Sequence, residues 1–189
     1  MRALARAVLR LFGWRPLGEA PDETRAVLIA APHTSNWDLA LLLAFGLAYG
    51  VRVSWLGKHT LFSGVQGRVL RAVGGIPVDR SNPADVVETV AAEFAKRPRL
   101  VLAVAPEGTR GHREFWKSGF HRIARRAQVP IVPSFLDFAT RTAGFGESFV
   151  PGESVREDMD RLRKVYDGKL GRYPDQTGPV RLREEGPSA

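Results

Sequence analysis

A histidine and an aspartate, which can move a proton together, stand five positions apart in the stretch A-P-H-T-S-N-W-D, residues 31–38. A carboxylate beside an imidazole can orient the ring and raise its basicity, so that His33 could act as a general base. Ser35 and Asp38 also fit a helix capping box, which would explain the aspartate without catalysis. The two interpretations are compatible, because both place Asp38 in the first turn of a helix just after His33.

A second stretch with chemical potential, P-E-G-T-R at 106–110, follows another apolar run. The Arg110 guanidinium can bind phosphate or carboxylate bidentately, and Glu107 can fix that arginine or a substrate hydroxyl. Arg80, after G-G-I-P-V-D, and Lys117, in F-W-K-S-G, are further candidates for binding phosphate. Each of them also has a simpler interpretation as part of a solvated turn or a local ion pair.

Several common kinds of site are missing from the sequence. The chain has no cysteine, which excludes disulfides, thiolate metal sites and cysteine nucleophiles. The motif G-x-S-x-G is absent, which disfavours a serine hydrolase with a nucleophile elbow. P-loop and dinucleotide-binding motifs are absent as well. The histidines show no spacing typical of zinc ligands; they are His33, His59, His112 and His121.

The segments that must position these residues alternate between strands and helices. The predicted strands are 25–31, 51–55, 76–78, 100–105 and 130–136, and the predicted helices are about 36–49, 63–73, 83–96, 119–127 and 155–166. Strands that are apolar without alternation indicate the α/β class, with a mixed, largely parallel sheet covered by helices. Ligands bind at the carboxyl ends of such strands, so the loops after 25–31, 76–78 and 100–105 are expected to meet at one edge.

Composition limits the class of protein further. With 189 residues, 44% of them hydrophobic, the chain is long enough for one domain with a buried core. The net charge of +8 favours anionic partners such as nucleic acid, lipid headgroups or a phosphorylated substrate. A nucleic-acid-binding domain would need basic residues interleaved with exposed aromatic ones, whereas these arginines are spread along the chain. No segment reaches the roughly 18 apolar residues of a membrane span.

The chain divides into three parts. Residues 1–16 predict a short amphipathic helix in which three arginines lie on one side; the arginines argue against a signal peptide. This helix either packs on the domain or contacts a membrane, in which case its apolar side and Trp14 would enter the lipid. Residues 17–166 hold the predicted strands and helices. Residues 167–189, rich in Gly, Pro, Arg and Glu, predict a loose tail.

Taken in order, four motifs resemble those of the glycerolipid acyltransferase family, which includes the lysophosphatidic acid acyltransferases (1-acylglycerol-3-phosphate O-acyltransferases). They are the histidine and aspartate pair at His33 to Asp38, G-x-I-x-V-D-R at Gly74 to Arg80, P-E-G-T-R at Pro106 to Arg110, and V-P-I-V-P at Val129 to Pro133. The resemblance covers about residues 25–135. The sequence has Pro32, Pro77 and Gly111 where the family commonly has Asn, Phe and Ser.

The resemblance implies a glycerophosphate acyltransferase-like fold, with residues 17–166 as the acyltransferase domain. It also implies an O-acyltransferase of phospholipid biosynthesis, which moves an acyl group directly from acyl-CoA or acyl carrier protein to a hydroxyl of a glycerophosphate-type lipid. His33 would take the hydroxyl proton while Asp38 orients the ring. The phosphorylated acceptor would be held by Arg80, Glu107, Gly108, Thr109 and Arg110. No metal ion or other cofactor is implied.

An enzyme of this kind would act on a lipid or lysolipid acceptor at an anionic membrane surface, so the resemblance implies a cytoplasmic, peripherally membrane-associated protein without a nucleic-acid partner. Two alternatives stay open. An esterase or thioesterase could use the same His33–Asp38 pair on water, because water and a lipid hydroxyl make the same demand on a base. The positive charge alone would also suit a basic nucleic-acid-binding α/β domain.

Overall fold

Strands and helices alternate along the chain in a computed structural model that describes residues 1–79 and 81–186, apart from the side chains of residues 83 and 84. The helices are α1 (Arg2–Leu11), α2 (Trp37–Tyr49), α3 (Gly64–Ala72), α4 (Pro83–Lys96), α5 (Gly119–Ala127) and α6 (Val155–Tyr166). The strands are β1 (Arg15–Leu17), β2 (Arg25–Ala31), β3 (Val53–Lys58), β4 (Gly75–Val78), β5 (Leu100–Val104), β6 (Ile131–Asp137) and β7 (Thr142–Phe145). Short 3-10 helices occupy His59–Leu61, Pro174–Gln176 and Arg183–Glu185.

The strands of the described chain form one sheet in the order β1-β7-β6-β2-β5-β3-β4. The five strands from β6 to β4 are mutually parallel, while β7 runs antiparallel to β6. The predicted mixed, largely parallel sheet is therefore confirmed. Because the five strands share one direction, the loops after β2, β4 and β5 leave from the same edge of the sheet. The loop after β4 leaves from the outermost strand, farther from β2 than the loop after β5.

Helices cover both faces of this sheet. Right-handed crossovers between parallel strands put α2 and α3 on one face and α4 and α5 on the other. The first, which we call the α1–α3 face because α1 packs on α2, has a core that includes Leu28, Phe45 and Val132. The second, the α4–α6 face, has a core that includes Phe94, Phe120 and Leu162. Within the described ranges, no helix combines the length and the apolar composition needed to cross a bilayer.

The N-terminal helix α1 packs on α2 and also keeps an apolar side in solvent. Leu9 is buried at the contact, and Arg6 Nε donates a hydrogen bond to the carbonyl oxygen of Ala48, 3.1 Å away, near the end of α2. The expectation that Trp14 enters lipid is wrong, because its ring is buried against Phe138 at a centroid distance of 4.9 Å. The side chains that remain exposed are Leu4, Val8, Leu11 and Phe12.

Residues 167–186 do not form the loose tail that their composition predicts. Leu182 is buried and forms an isolated β-bridge with Trp116. The backbone N–H of Trp116 donates a hydrogen bond to the carbonyl oxygen of Arg181 at 2.8 Å. The Arg181 guanidinium also pairs with the Glu114 carboxylate at 2.8 Å. Glycine, proline and charged residues are typical of disordered segments, but here the burial of one leucine and these polar contacts hold the segment on the domain.

Leu182→Ala should therefore lower the free energy of unfolding by about 2–5 kcal/mol, because it leaves a cavity in the core. Leu170→Ala is the matched control in the same segment: its side chain is 38% exposed, so the loss should be about 1 kcal/mol or less. Urea unfolding measures both effects. Equally small losses would mean that the segment is loose after all.

Candidate active site

The Asp38 carboxylate organises the loop between β2 and α2. It is buried and accepts hydrogen bonds from four donors. These are His33 Nδ1 at 3.0 Å, the backbone N–H groups of Thr34 at 2.9 Å and Ser35 at 2.8 Å, and the Ser35 hydroxyl at 2.6 Å. The carboxylate thus closes the turn, as a capping residue does, and fixes the imidazole at the same time. The capping-box interpretation holds only in part, because Asn36 is the N-cap of α2, without a side-chain capping bond, and the Ser35 hydroxyl donates to the Asp38 carboxylate.

The same donors determine the ionisation of Asp38. Burial acts to raise the pKa of Asp38, but the hydrogen bonds from His33 and Ser35 outweigh it and hold this pKa below its usual value. An ionised carboxylate can only accept hydrogen bonds, so Nδ1 carries the proton in the neutral His33 ring. Nε2 is then the unprotonated nitrogen, which can accept a proton from a substrate.

Glu107 joins the P-E-G-T-R loop to the histidine loop. Its Oε1 accepts a hydrogen bond from the backbone N–H of His33 at 3.0 Å, whereas Oε2 is buried and has no hydrogen-bond partner. Burial raises the pKa of Glu107 to about 7. The sequence allowed Glu107 to pair with Arg110, but the structure places its carboxyl group against the histidine loop instead.

The rest of the P-E-G-T-R loop presents cations around a tight turn. Arg110 is exposed, and its Nη1 donates to Asn36 Oδ1 on the histidine loop. Gly108 adopts a left-handed backbone with φ +65°, and a Cβ there would lie 2.9 Å from Cδ of Lys117. The left-handed backbone favours glycine at this position, whereas the flexible Lys117 side chain can move away from an added Cβ. Thr109 lies half-buried in the same turn.

The structure thus brings most of the predicted site residues to one edge of the sheet. His33 and Asp38 come from the loop after β2, and the stretch from Glu107 to Arg110 comes from the loop after β5, with Lys117 beside it. Arg80 lies outside the described residues, so its predicted contact with a phosphorylated acceptor stays a prediction.

The C-terminal segment supports the histidine loop from outside. The backbone N–H of Tyr173 donates to Thr34 Oγ1 at 3.2 Å. A Cβ on Gly171 would lie 2.5 Å from the same oxygen, so the chain can approach Thr34 this closely only with glycine. Sequence reasoning missed these residues, because no periodic pattern connects positions so far apart in the chain.

A cavity of about 1420 Å³ opens beside the two loops; it extends between α2 and the sheet on one face, and to Val87, Phe120 and Ile123 of α4 and α5 on the other. Its polar part is lined by His33, Asp38 and the P-E-G-T-R loop. Its apolar part is lined by side chains that include Leu42, Phe45, Val53, Ala103, Leu136 and Phe145. None of these was predicted as a site residue, because the apolar wall of a cavity and a packed core have the same composition.

The raised pKa of Glu107 makes stability depend on pH. The ordinary value is 4.5, so between pH 4.5 and about 7 the folded protein holds a proton that the unfolded chain releases. Stability therefore falls as the pH rises through this window. Glutamine cannot titrate, so the stability of Glu107→Gln relative to the native protein should increase from pH 4.5 to about 7 and then level off. Urea unfolding at a series of pH values measures the difference.

Glu153→Gln, at an exposed position, is the control and should show no such trend. If the free energies of unfolding of Glu107→Gln and the native protein differ by the same amount at every pH, the result would contradict the claim that burial raises the pKa of Glu107.

Comparisons with known proteins agree with this geometry. The family model described as Acyltransferase matches residues 17–137. The chain is 30% identical over 151 residues to a Mycoplasma pneumoniae protein named "Probable 1-acyl-sn-glycerol-3-phosphate acyltransferase". This alignment covers 75% of this chain and 54% of that protein. It is 27% identical over 113 residues to the 1-acyl-sn-glycerol-3-phosphate acyltransferase of Streptococcus pneumoniae, covering 60% of this chain and 42% of that protein.

A solved structure shows the same fold. The crystal structure of the 1-acyl-sn-glycerophosphate (LPA) acyltransferase PlsC from Thermotoga maritima matches with a TM-score of 0.56 at 16% identity, over 87% of this chain and 74% of that one. The chain spans about half the length of the curated relatives it matches. Since the family model matches well over half of its residues, and the relatives carry the expected name, the chain belongs to the glycerolipid acyltransferase family.

Proposed function

We propose that this protein is an O-acyltransferase of phospholipid biosynthesis, which moves an acyl group from acyl-CoA or acyl carrier protein to a hydroxyl of a glycerophosphate-type lipid. The observation that carries the proposal is the Asp38-oriented imidazole of His33 at a cavity that is polar at the loops and apolar beneath α2. The polar part suits a glycerol hydroxyl with its phosphate, and the apolar part suits an acyl chain. The names of the relatives support the same class of acceptor.

In the proposed reaction, Nε2 of His33 takes the proton from the acceptor hydroxyl. The oxygen attacks the thioester carbonyl carbon, an ester C–O bond forms, and the C–S bond breaks. The leaving thiolate takes the proton back from the imidazolium, so the ring returns to its starting state. Asp38 remains ionised throughout; it holds the ring and stabilises its transient positive charge. These steps need no cofactor, because the two substrates and His33 supply every atom that moves.

The acceptor phosphate would bind at the P-E-G-T-R loop. Arg110 and Lys117 offer two exposed cations there, and the Lys117 side chain lies close to the backbone of Gly108. Arg110 already touches the histidine loop through Asn36, so a phosphate bound by Arg110 would lie close to His33. Glu107, whose carboxyl group is buried, would support the acceptor site by holding the His33 backbone. Arg80 completes the proposed set.

The membrane is the proposed source of the acceptor, and α1 is the proposed contact. Leu4, Val8 and Leu11 lie along the exposed side of this helix, whose charged residues are all arginines. Such a helix binds the interface of an anionic bilayer by inserting its apolar side among the headgroups. Arg6 is less available to bind headgroups than the other arginines of α1, because its side chain donates a hydrogen bond to the carbonyl oxygen of Ala48 near the end of α2. We propose with it that the protein is cytoplasmic and peripherally associated with the membrane, as the motifs imply.

The function is tested by incubating the purified protein with labelled acyl-CoA, or with acyl carrier protein as an alternative donor, and a panel of lysolipids and glycerol phosphates. Mass spectrometry identifies the product. A phospholipid ester formed from a phosphorylated lysolipid is the expected result. Free fatty acid as the main product, whatever the acceptor, would identify a thioesterase and overturn the proposal.

His33→Ala should lower the rate of transfer by roughly 100- to 10,000-fold, the usual contribution of a general base. Its side chain is 27% exposed and Asp38 keeps three other donors, so the melting temperature should change little. His59→Ala, at an exposed histidine, is the matched control and should keep the native rate. A well-folded His33→Ala protein with a large part of the native activity would remove His33 from the mechanism.

The double variant Leu4→Ser, Leu11→Ser tests the contact through α1, and it leaves Trp14 and Leu9 in the core. Both side chains are exposed, so folding should be unaffected, whereas vesicle binding should fall about tenfold because partly inserted leucines contribute roughly half of their full burial energy. Co-sedimentation with vesicles that contain phosphatidylglycerol measures binding at low and high salt. Native-like binding would mean that α1 is merely packed on the domain.

A further inference from the structure

Helix α3 turns its apolar side to solvent. It packs on the domain through Gly67, where a Cβ would lie 2.2 Å from the backbone of Phe62, and through the half-buried Leu70. Val65 and Val69, in contrast, are 71% and 56% exposed. A surface helix normally directs its apolar side to the core, so this helix differs from the usual arrangement.

The spacing of Val65 and Val69 puts their side chains on one side of α3. At about 3.6 residues per turn, Val65 and Val69 lie on one side of α3, roughly opposite Gly67 and Leu70. Two more exposed apolar residues flank the helix: Leu61 in the preceding 3-10 helix and Val73 at the C-cap. We call the set the α3 stripe; it consists of Leu61, Val65, Val69 and Val73.

The α3 stripe lies on the same face of the sheet as α1. Phe62, just before α3, packs against Trp55 and approaches Gly57 on one side of β3. Val53 lies on that side of the strand too, since alternate residues point to the same face, and it belongs to the core beneath α2. The exposed apolar residues of α1 and α3 are therefore both on the α1–α3 face.

The charged residues of helices α1 and α3 have one sign. Positions 1–18 and 39–78, which contain α1, α3 and nearly all of α2, hold no aspartate or glutamate and eight lysines or arginines. On the α4–α6 face, α4 and α6 each carry three acidic residues. Exposed apolar side chains among purely basic ones are complementary to an anionic lipid surface, which accepts both.

We propose that the α3 stripe is a second membrane-docking element, which together with the exposed side of α1 lays the α1–α3 face on an anionic bilayer. Leu9 of α1 belongs to the same core cluster as Leu136 of β6 and Ala143 of β7. Helix α3, in contrast, contacts β4, and the carbonyl oxygen of its C-cap Val73 accepts a hydrogen bond from Trp55 of β3. These positions are about four strand spacings apart, roughly 19 Å. A bilayer is an extended surface that can contact both helices at once, whereas an acidic carrier protein docked at α3 would leave the matching surface of α1 unexplained.

The absence of cysteine from the chain allows a direct test, because an engineered cysteine is a unique labelling site. Val69→Cys, Leu11→Cys and Val150→Cys would each carry an environment-sensitive nitrobenzoxadiazole dye. Val150 is the matched control, since it is 70% exposed but lies beside the C-terminal end of α5, on the α4–α6 face. Each protein is mixed, without substrates, with vesicles of equal parts phosphatidylglycerol and phosphatidylcholine.

The dyes at positions 69 and 11 should shift to shorter emission wavelengths and be quenched by spin-labelled lipid, whereas the dye at position 150 should not respond. A response at position 11 without one at position 69 would overturn the proposal. So would a response at position 69 to soluble acyl carrier protein but not to vesicles, which would identify a protein partner. Because no substrate is present, these outcomes are independent of whether the protein transfers acyl groups.

An unlabelled variant gives a second measurement. Val65→Ser combined with Val69→Ser should weaken partition into the same vesicles about tenfold, since each inserted valine contributes several-fold. Val150→Ser should leave partition unchanged, and thermal unfolding monitored by circular dichroism checks that all three proteins fold. Partition of the double variant equal to that of the native protein would contradict insertion of the α3 stripe.

Discussion

The Asp38 carboxylate is the interaction on which the site depends. It is buried, yet the hydrogen bonds that it accepts more than offset the cost of burying its charge, and its pKa stays below the usual value. Its donors are the His33 imidazole, two backbone N–H groups and the Ser35 hydroxyl, so the shape of the loop and the tautomer of the base are fixed by one group. Removing the charge of Asp38 would loosen the loop and free the tautomer of His33 at the same time.

The parallel sheet explains why other parts of the chain meet at this loop. Since β2 and β5 are neighbours with the same direction, the loop after β5 begins beside the loop after β2, and Glu107 can hold the His33 backbone. The C-terminal segment then supports Thr34 from outside. Part of the cavity's apolar lining lies beneath α2, on the face where α1 and the α3 stripe are exposed, and the rest lies against α4 and α5. An acyl chain that enters from the bilayer beneath α2 would reach the base from the same side of the sheet.

Much of this arrangement could be predicted from the sequence, and the exceptions have physical causes. Strand β2 was predicted residue for residue, because its apolar run ends at Pro32. Strand β3 begins two residues later than predicted, because Gly50 is left-handed and the Val51 N–H still bonds to the Gly46 carbonyl. The three residues of β1 and the four of β7 have little strand preference of their own and form by pairing. The spacing of His33 and Asp38 indicated their contact, but the role of Gly171 depends on a contact distant in sequence.

The most direct test of this account is nitrogen NMR of the protein labelled at histidine, recorded at a pH where the His33 ring is neutral. The account predicts a proton on Nδ1 and none on Nε2, because an ionised Asp38 can only accept a hydrogen bond. In Asp38→Asn this preference should weaken or reverse. A native protein in which Nε2 carries the proton, or a tautomer that Asp38→Asn leaves unchanged, would contradict the claim that Asp38 prepares His33 to act as a base.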